Sequence, residues 1–215
     1  MPRAPLITFE GVEGAGKTTL AQHLADWLRA QGVPVRLTRE PGGSTLGAHL
    51  RPILLHEPLD AWAELFLFLA DRRQHTLQVI LPALEQGVWV LCDRYADSTL
   101  VYQGYGRGLD TELIRRLNAI ATDNLAPDLT VLIDLPVEVA LARANAPNRF
   151  EAETLAFHNR IRAGYLELAR AEPNRFLVLD GLQPLETLKA SLEQAVQERF
   201  LYQSRVQSSL FAPLL

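Results

Sequence analysis

The sequence predicts an α/β domain built on a five-stranded, mostly parallel sheet flanked by helices. Five short apolar runs, each the length of a buried strand, alternate with segments of helical periodicity; they cover residues 6–9, 34–38, 88–92, 129–133 and 176–179. Strands separated by helices usually pair in parallel through right-handed crossovers, which gives a doubly wound sheet. At 215 residues the chain suits one large domain of this kind rather than two.

The first helix follows directly from the residues after the first run. Leu20, Leu24 and Leu28 fall on one face at helical spacing, and Gly32 suits the left-handed position that ends a helix. The run at residues 34–38 then predicts the second strand.

Capping residues locate the next two helices. Ser44 can cap a helix that runs to about residue 55, and Asp60 can cap a longer one. Pro82 should kink or end this longer helix, because proline lacks the backbone N–H that a helix interior uses. The third strand follows it.

Glycine, aspartate and proline divide the second half of the chain. Gly104, Gly106 and Gly108 predict a loop, Asp110 can cap the helix after it, and Pro136 fits the first turn of the next helix. The helices of this half should end near residues 121, 144, 172 and 200. No segment has the composition of a linker between domains, so the chain is predicted to be one domain over residues 1–215.

Composition narrows the classes of partner and location. Hydrophobic residues are 48% of the chain, charged residues 21%, and the formal net charge is -4. Because there is no basic stripe, we expect no nucleic-acid partner and assign the arginines to small anionic ligands. No apolar run approaches the roughly 18 residues of a membrane span, so we expect no membrane partner either. A single cysteine, Cys92, and no apparent signal segment indicate the cytoplasm.

The segment between the first strand and the first helix carries the strongest chemical signal. Gly11, four further residues and then Gly16-Lys17-Thr18 match the pattern G-x-x-x-x-G-K-[ST]. The glycines let the backbone turn and aim N–H groups inward, where the helix N-terminus adds about half a positive charge. Lys17 would reach the β- and γ-phosphates, and the Thr18 hydroxyl would ligate their Mg²⁺. This concavity suits a polyphosphate.

Other residues must decide which kind of phosphate-loop protein this is. No N-K-x-D segment is present, which argues against a GTPase. Arginines occur instead near several strand ends, at positions 51, 72, 94, 143 and 149. Transfer between two phosphate-bearing molecules needs such cations, because catalysis there is mostly positioning and charge neutralisation. Taken singly, each arginine could equally belong to a surface ion pair.

Two further segments are far more specific than the phosphate loop. They are Thr-Arg-Glu-Pro-Gly-Gly at residues 38–43 and Asp-Arg-Tyr at residues 93–95, the latter continued through Tyr-Gln-Gly at residues 102–104. With them, the chain resembles the thymidylate kinases, specifically the bacterial form, along nearly its whole length. The resemblance implies a P-loop NTPase fold of the nucleoside monophosphate kinase type and, as is usual there, a homodimer. It also implies transfer of the γ-phosphate of MgATP to dTMP, which gives dTDP and ADP in dTTP biosynthesis.

The resemblance also implies a role for each position of the acceptor pocket. Phe68 would stack on thymine, Arg72 would hydrogen-bond the base, and Tyr102 would crowd the 2′ side of the sugar. From the residues alone, Phe68 and Tyr102 could be core aromatics. The implied dTMP-binding residues are Glu40, Arg51, Phe68, Arg72, Arg94, Ser98, Thr99, Tyr102 and Gln103. The implied ATP-binding residues are Gly11, Val12, Glu13, Gly14, Ala15, Gly16, Lys17, Thr18 and Thr19.

Catalytic and metal-binding roles follow in the same way. Thr18 and Asp93 would hold Mg²⁺, with Asp93 also orienting Arg94. Ala15 stands where some members of the family carry a catalytic arginine, so that charge should come from a lid at about residues 143–152. The implied catalytic residues are Lys17, Arg94, Glu13, Arg149 and Arg143. The lid is short, and Asn148 stands where an acidic residue is usual, which leaves Glu151 as its carboxylate.

Three alternatives remain open at this level. The chain could phosphorylate another pyrimidine monophosphate, it could be a switch or assembly ATPase that needs no acceptor, or it could bind nucleotide without turnover. The run of large apolar residues after Asp60 suggests dimerisation through that helix and its neighbours.

Overall fold

A computed structural model describes residues 3–144 and 148–201. Within these ranges it has a five-stranded sheet in the order β2-β3-β1-β4-β5, and all four neighbouring pairs are parallel. The strands are β1 Leu6–Glu10, β2 Val35–Arg39, β3 Trp89–Asp93, β4 Leu129–Asp134 and β5 Phe176–Asp180. The predicted parallel sheet is confirmed, with strand ends shifted by one residue in places.

Helices cover both faces of this sheet. They are α1 Lys17–Ala30, α2 Thr45–His56, α3 Ala61–His75, α4 Leu81–Glu85, α5 Ala96–Thr99, α6 Thr111–Thr122, α7 Val137–Arg143, α8 Leu155–Ala171 and α9 Leu185–Val196. The predicted caps are present: Ser44, Asp60 and Asp110 each accept backbone N–H groups from the first turn of their helix. Of the predicted lid, residues 145–147 lie outside the described residues.

The predicted break at Pro82 takes a different form. A π-helical turn, Thr76–Ile80, follows α3 directly and leads into α4. Pro82 lies in the first turn of α4, immediately after the π-helical turn. The helix therefore changes to a π-helical repeat before the proline instead of ending there.

The loop predicted at residues 104–108 is wrong for most of its length. Leu100–Gly106 is a π-helical segment that continues α5. A Cβ at Gly104 would lie 2.8 Å from Thr111 Cγ2, and one at Gly106 would lie 2.7 Å from Phe157 Cε2. These glycines serve close packing of the segment against α6 and α8, which sequence spacing alone does not distinguish from a turn.

The core places the carboxyl ends of three strands side by side. All five residues of β1 are buried, and its central position brings Phe9 opposite Asp93 of β3. Arg39 of β2 also pairs with Asp93. Because ligands of parallel sheets bind at this edge, the phosphate loop, residues 93–95 and residues 38–43 meet at one place. No helix within the described ranges is long and apolar enough to cross a membrane.

Candidate active site

The phosphate loop, residues 11–18, wraps around the start of α1. Gly11, Gly14 and Gly16 have φ values of 141°, 72° and 97°, all in the region that favours glycine. A Cβ at Gly14 would lie 1.9 Å from the carbonyl oxygen of Ala140, so α7 packs directly on the loop. Gly16 caps α1, whose first residue is Lys17. The predicted strand, loop and helix are therefore in place.

Lys17 lies folded back over its own loop. Its Nζ donates to the carbonyl oxygens of Gly11 at 3.1 Å and Val12 at 2.8 Å, and the residue is buried. Burial, and next the nearby Arg94, lower the pKa of Lys17 to about 8. Among the residues that the structure describes, the ammonium group donates only to these two carbonyl oxygens, which an anion can replace.

Thr18 and Asp93 are in direct contact. Thr18 Oγ1 donates to Asp93 Oδ2 at 2.5 Å, across the ends of α1 and β3. A hydroxyl and a carboxylate are the oxygen donors that Mg²⁺ prefers, and Mg²⁺ usually takes only one or two protein ligands with its other sites filled by water and phosphate. The described residues contain no group of three or more His, Cys, Asp or Glu that could hold a metal. The hydroxyl of Thr18 and the carboxylate of Asp93 are of the ligand type that a magnesium ion carried by a polyphosphate takes.

A cleft of about 600 Å³ extends from the phosphate loop between α3 and the residues after β3. Its lining includes the lid residues Asn148, Phe150 and Glu151. The predicted site residues that line it are Glu13, Gly14, Lys17, Thr18, Glu40, Arg51, Phe68, Arg72, Asp93, Arg94, Ser98, Thr99, Tyr102 and Gln103. Residues from distant parts of the sequence therefore share one concave surface.

Arg94 and Glu13 form the ion pair at the centre of the cleft. Arg94 Nη2 donates to Glu13 Oε1 at 3.0 Å, and the guanidinium carbon lies 4.9 Å from the centroid of the Tyr102 ring. The Tyr102 hydroxyl donates to both carboxylate oxygens of Glu13, at 2.7 and 2.8 Å. Burial alone would raise the pKa of Glu13, but Arg94 and then Lys17 outweigh it and lower that pKa.

Arg72 is the most fully bonded cation of the cleft. Its Nε donates to Glu40 Oε2 at 2.8 Å, Nη2 donates to the carbonyl oxygen of Tyr95 at 3.0 Å, and Nη1 donates to Thr99 at 2.7 Å and Asn118 at 2.8 Å. These contacts use four of its five N–H groups. The fifth, on Nη2, is the one that a ligand could take.

Glu40 is held from a second direction by His75. His75 Nδ1 lies 2.9 Å from Glu40 Oε1, and its Nε2 lies 2.7 Å from Thr38 Oγ1. Glu40 and His75 are both buried. Burial, and next the neighbouring carboxylate of Glu40, raise the pKa of Asp71 to about 6. The carboxylate beside the acceptor pocket is therefore fixed before any ligand arrives.

The two lid arginines lie in different places. Arg143 Nη1 donates to the carbonyl oxygen of Gly181 at 3.1 Å, and its side chain borders a smaller concavity with Ala15 and Thr19. Arg149 Nε donates to the carbonyl oxygen of Leu54 at 2.7 Å. Its Nη1 pairs with Glu64, which has no exposed surface.

Comparison with known proteins agrees with this geometry. A family model described as thymidylate kinase matches residues 9–192. The chain belongs to the thymidylate kinase family. A thymidylate kinase of Desulfovibrio desulfuricans is 53% identical over 204 residues, which is 89% of this chain and 94% of that protein. One from Nostoc is 48% identical over 196 residues, which is 87% of this chain and 93% of that protein.

A solved structure extends the likeness to the fold. The crystal structure of thymidylate kinase from Ehrlichia chaffeensis matches with a TM-score of 0.75 and 36% identity, over 91% of this chain and all of that one. Function and fold class thus agree with the interpretation drawn from the sequence: this is a phosphotransferase of the nucleoside monophosphate kinase type.

Several polar residues of this thymidylate kinase site were not identified from the sequence. Glu64 accepts from Gln103 Nε2 at 2.6 Å, and Asn118 and His75 bind Arg72 and Glu40. A lone glutamate in the apolar stretch of α3 was a usable signal for Glu64, since a charge there must find buried partners. Asn118 offered no comparable signal, because its partner is 46 residues away.

Proposed function

We propose that this chain transfers the γ-phosphate of ATP to dTMP, giving dTDP and ADP. The observation that carries the proposal is the continuous cleft that joins the phosphate loop to the pocket around Arg72 and Phe68. A donor and an acceptor bound at its two ends would bring their phosphates together near Arg94. Direct transfer needs no covalent intermediate, and the protein contributes chiefly position and charge.

The donor half of the proposal rests on the phosphate loop. Backbone N–H groups of residues 11–18 would cradle the phosphates, and Lys17 would exchange the carbonyl oxygens of Gly11 and Val12 for phosphate oxygens. We propose that Thr18 and Asp93 hold Mg²⁺. That ion would neutralise phosphate charge during transfer.

The acceptor phosphate would bind between Arg94 and Arg51. Arg51 Nη1 donates to the carbonyl oxygen of Pro41 at 2.6 Å. Burial, followed by the neighbouring Arg39, lowers the pKa of Arg51, and Arg94 acts in the same direction while Asp93 and Asp71 oppose it. A phosphate dianion placed there would favour the charged form of Arg51. Glu13 would orient Arg94 from the opposite side and lie near the sugar.

The base and sugar would be recognised by the deeper half of the cleft. Phe68 lines it and would stack on thymine, and the remaining Nη2 proton of Arg72 would bind the base edge near Gln103. Thr99 would support Arg72 through its 2.7 Å hydrogen bond, and Ser98 would lie behind Arg94. Tyr102, held by Glu13, would leave little room for a 2′-hydroxyl.

The lid would supply the last cation. Arg143 borders the phosphate loop in this conformation, which favours it over Arg149 as the group that stabilises the transferring phosphoryl. Arg149 would have to leave Glu64 to reach the phosphates. Closure of the lid, residues 143–152, would also exclude water and so suppress ATP hydrolysis.

An acceptor panel tests the proposal. ADP release from MgATP is measured with no acceptor and with dTMP, dUMP, UMP or dCMP. The proposal predicts strong dependence on dTMP, weaker use of dUMP and the least use of UMP, because the base and the 2′ position are both discriminated. Equal turnover with and without an acceptor would indicate an ATPase instead. Efficient use of UMP or dCMP would indicate a different pyrimidine kinase.

We also propose a homodimer formed through α3 and α6. These helices pack side by side and expose Phe66 (55%) and Ile120 (70%), with Trp62, Leu77 and Leu113 nearby in the chain. Light scattering at micromolar concentration should give the mass of two chains, and a monomer would contradict the proposal.

A cytoplasmic location is proposed on the free thiol of the buried Cys92, which fits a reducing compartment.

A further inference from the structure

A buried carboxylate lies directly behind the cleft. Glu10 is the last residue of β1 and has no exposed surface. Its Oε1 accepts the backbone N–H of Tyr95 at 2.8 Å. Its Oε2 accepts the hydroxyl groups of Ser98 at 2.6 Å and Tyr165 at 2.8 Å. In its ionised form this carboxylate can only accept hydrogen bonds, so all three groups then turn their protons toward it.

The two hydroxyl groups connect Glu10 to Arg94. The oxygens of Ser98 and Tyr165 lie 2.9 Å apart, and Arg94 Nη1 lies 3.2 Å from the first and 3.3 Å from the second. Because each hydroxyl gives its proton to Glu10, its lone pairs remain to accept from the guanidinium. Glu10 therefore sets the direction in which both oxygens face Arg94.

β1 also holds the backbone that carries Arg94. Arg94 has a φ of 70°, which is uncommon for a residue other than glycine. Its own N–H donates to the carbonyl oxygen of Phe9 at 3.0 Å, and the next N–H, that of Tyr95, goes to Glu10. The main chain on either side of the Arg94 α-carbon is thus tied to the last two residues of one buried strand.

We propose that Glu10 is a positioning residue that fixes Arg94 for phosphoryl transfer. The proposal rests on the proposed function, in which Arg94 holds the acceptor phosphate. Glu10 sets the Nη1 side of the guanidinium through Ser98 and Tyr165, while Glu13 holds the Nη2 side. Two carboxylates of the phosphate-loop region therefore orient one arginine from two directions.

Opposing effects set the charge of Glu10. Burial, and next Asp97, raise the pKa of Glu10 to about 7, and Arg94, Ser98 and Tyr165 limit this rise because they favour the charged form. The contacts that position the arginine are thus the ones that favour the charged carboxylate. An apolar side chain at this place would fill the volume but give the two hydroxyls no acceptor.

Glu10→Gln provides the test. Glutamine keeps the shape but has one acceptor oxygen and adds N–H donors that oppose Ser98 or Tyr165. We expect kcat/KM for dTMP to fall roughly 10- to 100-fold, the loss typical of a misplaced catalytic group. The dissociation constant of ATP without acceptor should stay within about 2-fold, since the phosphate loop is untouched.

A matched control separates positioning from simple stability. Thr8, two residues earlier on β1, is also fully buried, and its Oγ1 lies 3.0 Å from Thr130 Oγ1. Thr8→Val should lower the melting temperature by removing this contact and leave kcat/KM for dTMP unchanged. Equal kinetic losses in Thr8→Val and Glu10→Gln would overturn the proposal.

Combining Glu10→Gln with Arg94→Ala shows whether Glu10 acts through Arg94. Glu10→Gln should have little further effect on kcat in an Arg94→Ala chain, and an equal fold-loss in both backgrounds would overturn the proposal. If Glu10→Gln does not fold, Tyr165→Phe removes one of the two bridging hydroxyls and is expected to show the same dependence on Arg94. Absence of dTMP-dependent turnover in the unmodified chain would overturn the proposed function, whereas turnover insensitive to Glu10→Gln would overturn only this inference.

Discussion

Arg149, in the lid, forms an ion pair with Glu64, which is entirely buried in α3. The same carboxylate accepts from Gln103 and pairs with Arg107, which also binds Glu153. Glu64 therefore supplies one negative charge to three parts of the molecule. These are the lid, the glutamine of the acceptor cleft and the end of the segment Leu100–Gly106. Lid position and acceptor pocket are physically connected through it.

Glu64→Gln should destabilise the protein. Two guanidinium groups would lose their buried partner, and breaking such a pair costs about 3 kcal/mol or more of unfolding free energy. Urea denaturation of the two proteins measures the difference. Glu153→Gln is the matched control, because that carboxylate is partly exposed and its loss should cost about 1 kcal/mol or less. Similar losses for both variants would contradict a central role for Glu64.

Arg143→Ala should lower the rate of phosphoryl transfer, whereas Arg149→Ala should lower the stability of the protein. Loss of a cation that stabilises the transferring phosphoryl lowers kcat, on the order of 10³-fold in related chemistry. We expect that loss for Arg143→Ala, with KM for dTMP nearly unchanged. Arg149→Ala should instead lower the unfolding free energy, because Glu64 loses a partner. Steady-state kinetics and urea denaturation of both variants test this, and the reverse assignment of the kinetic loss would identify Arg149 as the acting group.

Arg72→Lys should impair acceptor use more than ATP binding. Lysine keeps the charge but cannot bind Glu40, Thr99 and the Tyr95 carbonyl oxygen at once. KM for dTMP should rise at least 10-fold, while the ATP dissociation constant measured without acceptor stays near that of the unmodified chain. Equal losses for the two ligands would mean that Arg72 supports the whole cleft rather than the base pocket.

ATP affinity should fall as the pH rises above about 8. Burial lowers the pKa of Lys17 to about 8 in the ligand-free chain, so the group is charged below that pH and neutral above it. Bound phosphate favours the charged form, and binding above pH 8 must therefore take up a proton. The affinity should drop about tenfold per pH unit there. Titration calorimetry between pH 6 and 10 measures it, and constant affinity over pH 7–10 would contradict the burial argument.

Local signals in the sequence were sufficient for much of the fold. Apolar runs located all five strands to within about a residue, and Ser44, Asp60 and Asp110 located three helix starts. The loop predicted from Gly104 and Gly106 was wrong, because a sequence does not distinguish a glycine needed for close packing against α6 and α8 from one needed for a turn. That distinction depends on a neighbour that is distant in sequence.

Part of the candidate site could likewise be predicted from the sequence, and part could not. The phosphate loop and the pair of Thr18 with Asp93 follow from a motif and from the ends of parallel strands. The support of Arg94 by Glu10 could not be predicted, since it passes through Tyr165, 155 residues from Glu10. Side-chain networks of this kind depend on three-dimensional packing, which local pattern does not encode.

The fate of the γ-phosphate distinguishes transfer to dTMP from hydrolysis of ATP. Radiolabelled γ-phosphate is followed from MgATP in the presence of dTMP, and the products are separated chromatographically. We expect nearly all of the transferred label to appear in dTDP and little to be released as inorganic phosphate, because donor and acceptor share one cleft. Label released mainly as inorganic phosphate, at a rate independent of dTMP, would show that the chain hydrolyses ATP without using dTMP as acceptor.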